Sequence, residues 1–446
     1  MKRGCLPRSS LRDFLRFVPV FNREVRVFYA SFYTFAADNE IIKYKEMRKT
    51  VCILCALLFM GTMMSYAQQD TIKPEGYKFT DVKRLPATSV KDQYRAGTCW
   101  SWATTSFLES EMMRMGKDSV NLSAMYFVKH AYSDKAEKYV RLHGVLNFAV
   151  GGASSDVTNM AKKYGIVPLE VFQGLNYGEP SHVFGEIDAV LKAYVQAVVE
   201  NNNKRLSTAW KRGFDAILDT YLGPEPEKFE YQGKEYTPQT FAKEVVGLNM
   251  DDYVNLTSFT HHPFYTEFAI EVEDNWSWDK SYNLPLEELM QVMDYAIDNG
   301  YTFVWGADVS EKGFATKDAG VAVIPATDTK EMSGAEIAKW EKLPKGQQMM
   351  DAFKQGPAPE KTITQEMRQE EFDRYQTTDD HGMHIIGKAK DQNGTPYFIV
   401  KNSWNKYNKF GGYFYASYPY MALKTMDIMV HKNAIPKAIR KKLGMN

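Results

Sequence analysis

The sequence predicts an α+β fold on three observations: a helical segment opening at Cys99, amphipathic stripes in the middle of the chain, and a β-hairpin with a third strand towards its far end. With 446 residues, 44% hydrophobic and 25% charged, the chain has ample apolar material for a large core. Its 55 basic and 55 acidic residues cancel, so no uniform field is available to hold nucleic acid, anionic lipid or an acidic polymer. Partners must be selected by a pocket.

In chain order, the first segment is a leader. Met47-Arg48-Lys49-Thr50, the apolar run from Val51 to Met64 and Ser65-Tyr66-Ala67 have the three parts of a signal peptide, so residues 47–67 are expected to be removed after Ala67 and the remainder exported to a periplasmic or extracellular space. The run is roughly 14 residues, short of the roughly 20 that a membrane-spanning helix needs, so no stable membrane anchor is expected. Residues 1–46 are basic and aromatic without a clear period, and read either as a start assigned too far upstream or as a true extension.

Removing residues 1–67 takes away Cys5, Cys52 and Cys55 and leaves Cys99 as the one thiol, which excludes an intramolecular disulfide. A lone cysteine is ordinarily a small buried hydrophobe, but its surroundings argue otherwise here. Val90-Lys91-Asp92-Gln93-Tyr94-Arg95-Ala96-Gly97-Thr98-Cys99 is a polar turn running into Trp102, Ala103, Ser106, Phe107 and Ser110 at helical spacing, which predicts a helix over 99–115. Cys99 then sits at its amino terminus, where the partial positive charge favours thiolate. Gln93, across the turn, is placed to donate an amide hydrogen to an oxyanion beside the sulfur.

The middle of the chain carries two stripes, Ile187, Val190, Leu191, Tyr194, Val195, Val198 and then Trp210, Phe214, Ile217, Leu218, Tyr221, which predict two core-facing helices. Residues 325–361, with Gly334, Gly346 and Gly356-Pro357-Ala358-Pro359, read as an irregular or mobile stretch. Near the far end, Asn393-Gly394 between apolar runs predicts a β-hairpin whose pairing brings His384 and Asn402 to neighbouring strand ends, with a third strand over 412–416. An imidazole held there by an amide oxygen would face the thiol.

Gln93, Gly97-Thr98-Cys99-Trp100, His384 before an apolar strand and Asn402-Ser403-Trp404 together resemble the signature of the papain superfamily. The resemblance implies Cys99 as nucleophile, Gln93 as oxyanion donor, His384 as general base and acid, Asn402 as the group orienting it, and Trp404 as the indole shielding that bond. Gly151-Gly152 resembles the paired glycines along which such enzymes lay a substrate backbone, and reads equally as a simple turn. Two features depart from papain itself: Ala96 stands where papain has a disulfide cysteine, and His384 follows Cys99 at about twice the papain spacing of about 130–150 residues.

The implied insertion contains Asp251-Asp252-Tyr253-Val254-Asn255-Leu256, His262-Pro263-Phe264-Tyr265 and Phe303-Val304-Trp305-Gly306-Ala307-Asp308-Val309, and is similar to the bleomycin hydrolase and aminopeptidase C family. That resemblance implies a papain-like cysteine peptidase fold, a helical half and an antiparallel β-sheet half with large helical insertions, over 68–446 with the insertion at about 170–360. It further implies peptide substrates cut from the amino terminus, no cofactor, and a homo-oligomer, a hexamer in the family. A terminal carboxylate on a carboxyl-terminal arm holds the substrate amine in that family. Asn446 would supply it here, although residues 437–446 form only a short basic turn. An open-cleft endopeptidase and a silent peptidase scaffold that binds peptides are the alternatives. A metal hydrolase is disfavoured because His261-His262 and His381 with His384 lack a third ligand in sequence.

Overall fold

The computed structural model describes residues 76–203, 205–326 and 352–445, so the leader, Asn446 and most of the irregular 325–361 stretch lie outside the described residues. The helix opening at the cysteine runs over Cys99–Arg114 (α1), close to the predicted bounds. It is buried on nearly every face from Trp100 to Met112 although it carries seven hydroxyl or carboxylate side chains. Such a helix is tolerable where most of its polar groups are bonded, and here Thr105 Oγ1 is an exception. Ser101 Oγ donates to Ala124 O at 2.7 Å and Ser110 Oγ to Pro86 O at 2.9 Å, while Glu109 receives Lys91, Thr88 and the amide of Leu122.

Around α1 pack Ala124–Arg141 (α2), whose N-cap Ser123 accepts from Tyr126 N, and Ser154–Tyr164 (α3). The two striped segments form Gly185–Val199 (α4) and Ala209–Leu222 (α5), and bury Ile187, Leu191, Val195, Phe214 and Leu218 in one core with Phe107, Phe127 and Phe148. Val190 lies at the edge of its stripe and stays exposed.

The helical part of the insertion is shorter than predicted. From Tyr253 onward the chain enters the sheet, because buried apolar runs such as Phe303-Val304-Trp305 are continued by strand partners on both sides rather than by a helical period. The strands are Phe79–Arg84 (β1), the small hairpin Phe229–Tyr231 (β2) with Lys234–Tyr236 (β3), Tyr253–Thr257 (β4), Glu267–Phe268 (β5), Ser281–Asn283 (β6), Phe303–Ala307 (β7), Phe314–Ala315 (β8), Val321–Ala322 (β9), His381–Asp391 (β10), Pro396–Lys401 (β11), Tyr413–Ser417 (β12) and Thr425–His431 (β13). Apart from the β2-β3 hairpin they form one largely antiparallel sheet in the order β5-β6-β4-β13-β7-β10-β11-β12-β9-β8, with β1 against β10. The expected Asn393-Gly394 turn joins β10 to β11, and β12 is the expected third strand.

A second core, including Leu256, Trp305, Met383, Phe398 and Ile428, fills the sheet half. The helix Lys437–Lys442 docks there through Ile439, with Leu443 behind it. Among the described residues no helix is long and apolar enough to cross a membrane. Helix α1 crosses β10, so the start of the helix and the start of the strand meet at one edge of the two halves.

Candidate active site

Cys99 is the first residue of α1, after N-cap Thr98, whose hydroxyl accepts from Trp102 Nε1 at 3.1 Å. The preceding loop passes close to its neighbours: a Cβ on Gly97 would lie 2.6 Å from the Val150 side chain, so a larger residue there would force Val150 to shift. Gln93 anchors the loop to the far end of the site. Its backbone amide donates to Ser403 O at 2.8 Å, its Oε1 accepts from Ser403 Oγ at 2.6 Å, and its Nε2 donates to Ala96 O at 2.7 Å. One hydrogen on Nε2 remains after that last bond.

The imidazole that Asn402 holds is His381, not His384. His381 Nε2 lies 2.8 Å from Asn402 Oδ1. The same Oδ1 accepts the amide of Ser403 at 2.8 Å, while Asn402 Nδ2 donates to Tyr407 Oη at 3.2 Å. The oxygen of the side-chain amide is thereby identified, so His381 Nε2 carries the hydrogen and Nδ1 is the free base. Trp404 stacks on the ring at 4.6 Å between centroids and 25° between planes. His381, Cys99, Trp100, Gly152 and Gly382 line one cavity.

His384 occupies a different environment. It is 1% exposed, packs edge-on to Phe107, and its Nδ1 lies 2.9 Å from Ser106 Oγ, which also receives Lys401 Nζ at 2.7 Å. The cause is a β-bulge. Pairing starts as Lys390 with Pro396 and would, if unbroken, set His384 opposite Asn402; the register shifts between Ile385 and Gly387, and His384 pairs with Lys401 instead. Since successive side chains alternate, His384 and Lys401 turn towards α1, as does Gly382, whose Cβ would touch Trp100 at 3.1 Å. His381 and Asn402, each an odd number of positions away, face the other side together. The signal in the sequence was His381 itself, three residues upstream at the strand's first position.

Burial pushes the Cys99 thiol up to about 12; the amide of Gly382 opposes this, and the charges of Asp379 and Asp274 add to it. The predicted thiolate is therefore not what the helix terminus alone achieves. Burial lowers His381 to about 4, with the Asn402 bond acting against it. Each group alone is held neutral, whereas transfer of one proton from Sγ to Nδ1 charges both and leaves the net charge unchanged, so the two titrate as a pair.

Of the expected substrate residues, Gly152 lines the cavity, but the carbonyl of Gly151 is taken by Lys135 Nζ at 2.6 Å and Gly151 does not line it. Trp404 acts on His381 rather than on the cavity wall. Residues 437–445 do not line the cavity, and Asn446 lies outside the described residues. Sequence reasoning missed the acidic wall: Asp274, Asp279, Asp379, Asp380 and Asp427 all line this cavity.

The pair His261-His262 does gain a third group, as both Nε2 atoms meet Glu271, at 3.0 and 2.7 Å. Gln369 Oε1 accepts from Thr260 N, which orients its Nε2 to donate to His261 Nδ1. His261 Nε2 therefore carries a hydrogen donated to Glu271, rather than a lone pair free for a metal.

The peptidase C1-like family model matches residues 43–352 and 332–446. Aminopeptidase C of Lactobacillus delbrueckii subsp. lactis is 20% identical, covering 79% of this chain and 81% of its own. Aminopeptidase C of Lactococcus lactis subsp. cremoris is 22% identical, covering 79% and 82%. The crystal structure of PepW from Lactobacillus rhamnosis HN001 shares the fold, with a TM-score of 0.60 at 18% identity over 92% of this chain and 96% of that one.

Proposed function

The chain belongs to the peptidase C1-like family, with a papain-like fold, and on that premise we propose that it is a cysteine aminopeptidase using Cys99, His381 and Asn402. The observation that carries the reading is the Asn402-held His381 sharing a cavity with a cysteine at a helix amino terminus. The thiol proton passes to His381 Nδ1, the sulfur attacks the peptide carbonyl, and the amine leaves with the proton from the imidazolium. Water then hydrolyses the thioester, with His381 as base. The Cys99 amide and the remaining Nε2 hydrogen of Gln93 are the oxyanion donors. Relatives named aminopeptidase C support cleavage from a free amino terminus.

The test compares matched free and acetylated peptides with wild type and Cys99→Ser. Cleavage by the serine variant at the wild-type rate contradicts the thiol mechanism; equal cleavage of acetylated peptides contradicts the aminopeptidase reading. An endopeptidase is the second reading, favoured by the docking of residues 437–443 on the sheet core away from the cavity. Export after cleavage at Ala67 and assembly into a homo-oligomer are part of the proposal, tested by amino-terminal sequencing of the protein from its producing cell and by its mass in solution.

A further inference from the structure

Among the described residues, five aspartates and no lysine or arginine line the cavity beside Cys99. Two of the five are already bonded. Asp279 Oδ2 accepts from Asn159 Nδ2 at 2.8 Å and Ser277 Oγ at 2.7 Å; Asp380 accepts from Val309 N at 3.0 Å and Thr378 Oγ1 at 2.7 Å. Asp274, Asp379 and Asp427 have no hydrogen bond or close ion pair among the described residues; Lys135, held by the Gly151 carbonyl, offsets part of the charge of Asp274 alone of the three. Two of the three are tightly placed even so: the Asp274 group fills the space a Cβ on Gly151 would need, and Asp427 Oδ1 would lie 2.5 Å from a Cβ on Gly306.

An independent observation points into the same cavity. Ser155 lines it, is 7% exposed, and its Oγ has no hydrogen-bond partner. Buried hydroxyls are almost always bonded, and carboxylates gathered in one half-buried cavity repel one another unless a counter-charge enters. Ile270, Val272, Val304 and Met426 add an apolar surface beside Asn255, Asn275 and Ser281, suited to the methylenes or backbone next to a charged tip.

We propose that this cavity is a cation-recognition subsite, in which Asp379 and Asp427, supported by Asp274 and the Ser155 hydroxyl, receive a primary ammonium group of the peptide substrate. The proposal rests on the cysteine peptidase reading and deepens it. The ammonium comes either from the peptide's amino terminus or from a lysine side chain, since both present the same donors. Burial raises Asp427 to about 6 and Asp379 well above the carboxylate range, with Asp274 among the charges that oppose Asp379's ionisation. An ammonium relieves both the burial and the repulsion.

The experiment uses four dipeptide substrates with one fluorogenic leaving group: lysine or norleucine at the first residue, each with a free or an acetylated amino terminus. kcat/KM is measured for wild type, Asp379→Asn and Asp427→Asn, with the acetyl-norleucine substrate as each protein's own reference rate. Wild type is expected to favour a cation-bearing peptide over acetyl-norleucine by about tenfold or more, and each asparagine variant to lose most of that preference, read as a ratio to its own acetyl-norleucine rate. Preference for free norleucine identifies the α-ammonium, and preference for acetyl-lysine the side chain; either supports the subsite. Equal rates for all four peptides overturn it without any variant. A preference that persists in both variants overturns it as well. Rapid cleavage of acetyl-lysine substrate with an intact Asp427 dependence removes the aminopeptidase reading and leaves the subsite standing.

Discussion

His381 Nε2 and Asn402 Oδ1 are 2.8 Å apart, and this bond selects one histidine out of two that lie three residues apart on the same strand. His381→Ala is expected to lower kcat/KM by about 10²–10⁴-fold, the range for loss of a positioned acid-base group. His384→Ala is expected to retain turnover and to lose stability, because the Ser106 hydroxyl loses a buried partner and the packing against Phe107 is lost. Steady-state kinetics with thermal melts on both variants decides between them; inactive, well-folded His384→Ala would reverse the assignment.

Asn402 favours the charged imidazole by accepting from it, against the burial that lowers His381 to about 4. Asn402→Ala removes the raising contribution, so the alkaline limb of the rate profile, where the imidazolium is lost, is expected to move to lower pH. The measurement is kcat/KM against pH for both proteins. A limb that stays in place would mean that another group sets it.

Gln93 is held by Ser403 and Ala96 with one amide hydrogen left over. Gln93→Ala is expected to cost about 10²–10³ in kcat with little change in KM, as for loss of an oxyanion donor. Gln93→Glu keeps the shape and removes the hydrogen, so it should be no better than alanine. Recovery of activity in the glutamate variant would exclude the donor role.

His384 is held well below the usual histidine range by burial first and the Lys401 charge second. Its unfolded form takes a proton below about pH 6.5 while the folded form resists, so it contributes stability that is present above that pH and is lost as pH falls. Each pH unit in that window costs about 1.4 kcal/mol for this one group. His384→Asn, which cannot titrate, should flatten the fall in denaturant stability between pH 6.5 and 5. An unchanged slope would assign the acid sensitivity to the other histidines that burial lowers, His130, His182, His381 and His431.

Local chemistry was enough to read Cys99 at the start of a helix, the Asn393-Gly394 hairpin, the third strand and the core-facing stripes of α4 and α5. Each depends on residues within a turn or two of one another, and periodicity reports such neighbours directly. The extent of the helical insertion was not legible, because the Phe303–Ala307 run becomes a strand through partners distant in sequence.

The sequence by itself determined that a thiol, an imidazole and an amide would meet, since Cys99 and Asn402 sit in recognisable local settings. Only the tertiary structure decided which imidazole it was, because a single bulged residue between Ile385 and Gly387 slips the pairing by one and turns His384 to the opposite face. The acidic wall was equally hidden: Asp274, Asp379 and Asp427 come from three separate segments and share a cavity through folding alone. A pattern along the chain records alternation and period, while a one-residue slip or a meeting of remote carboxylates costs that pattern nothing and is settled by packing.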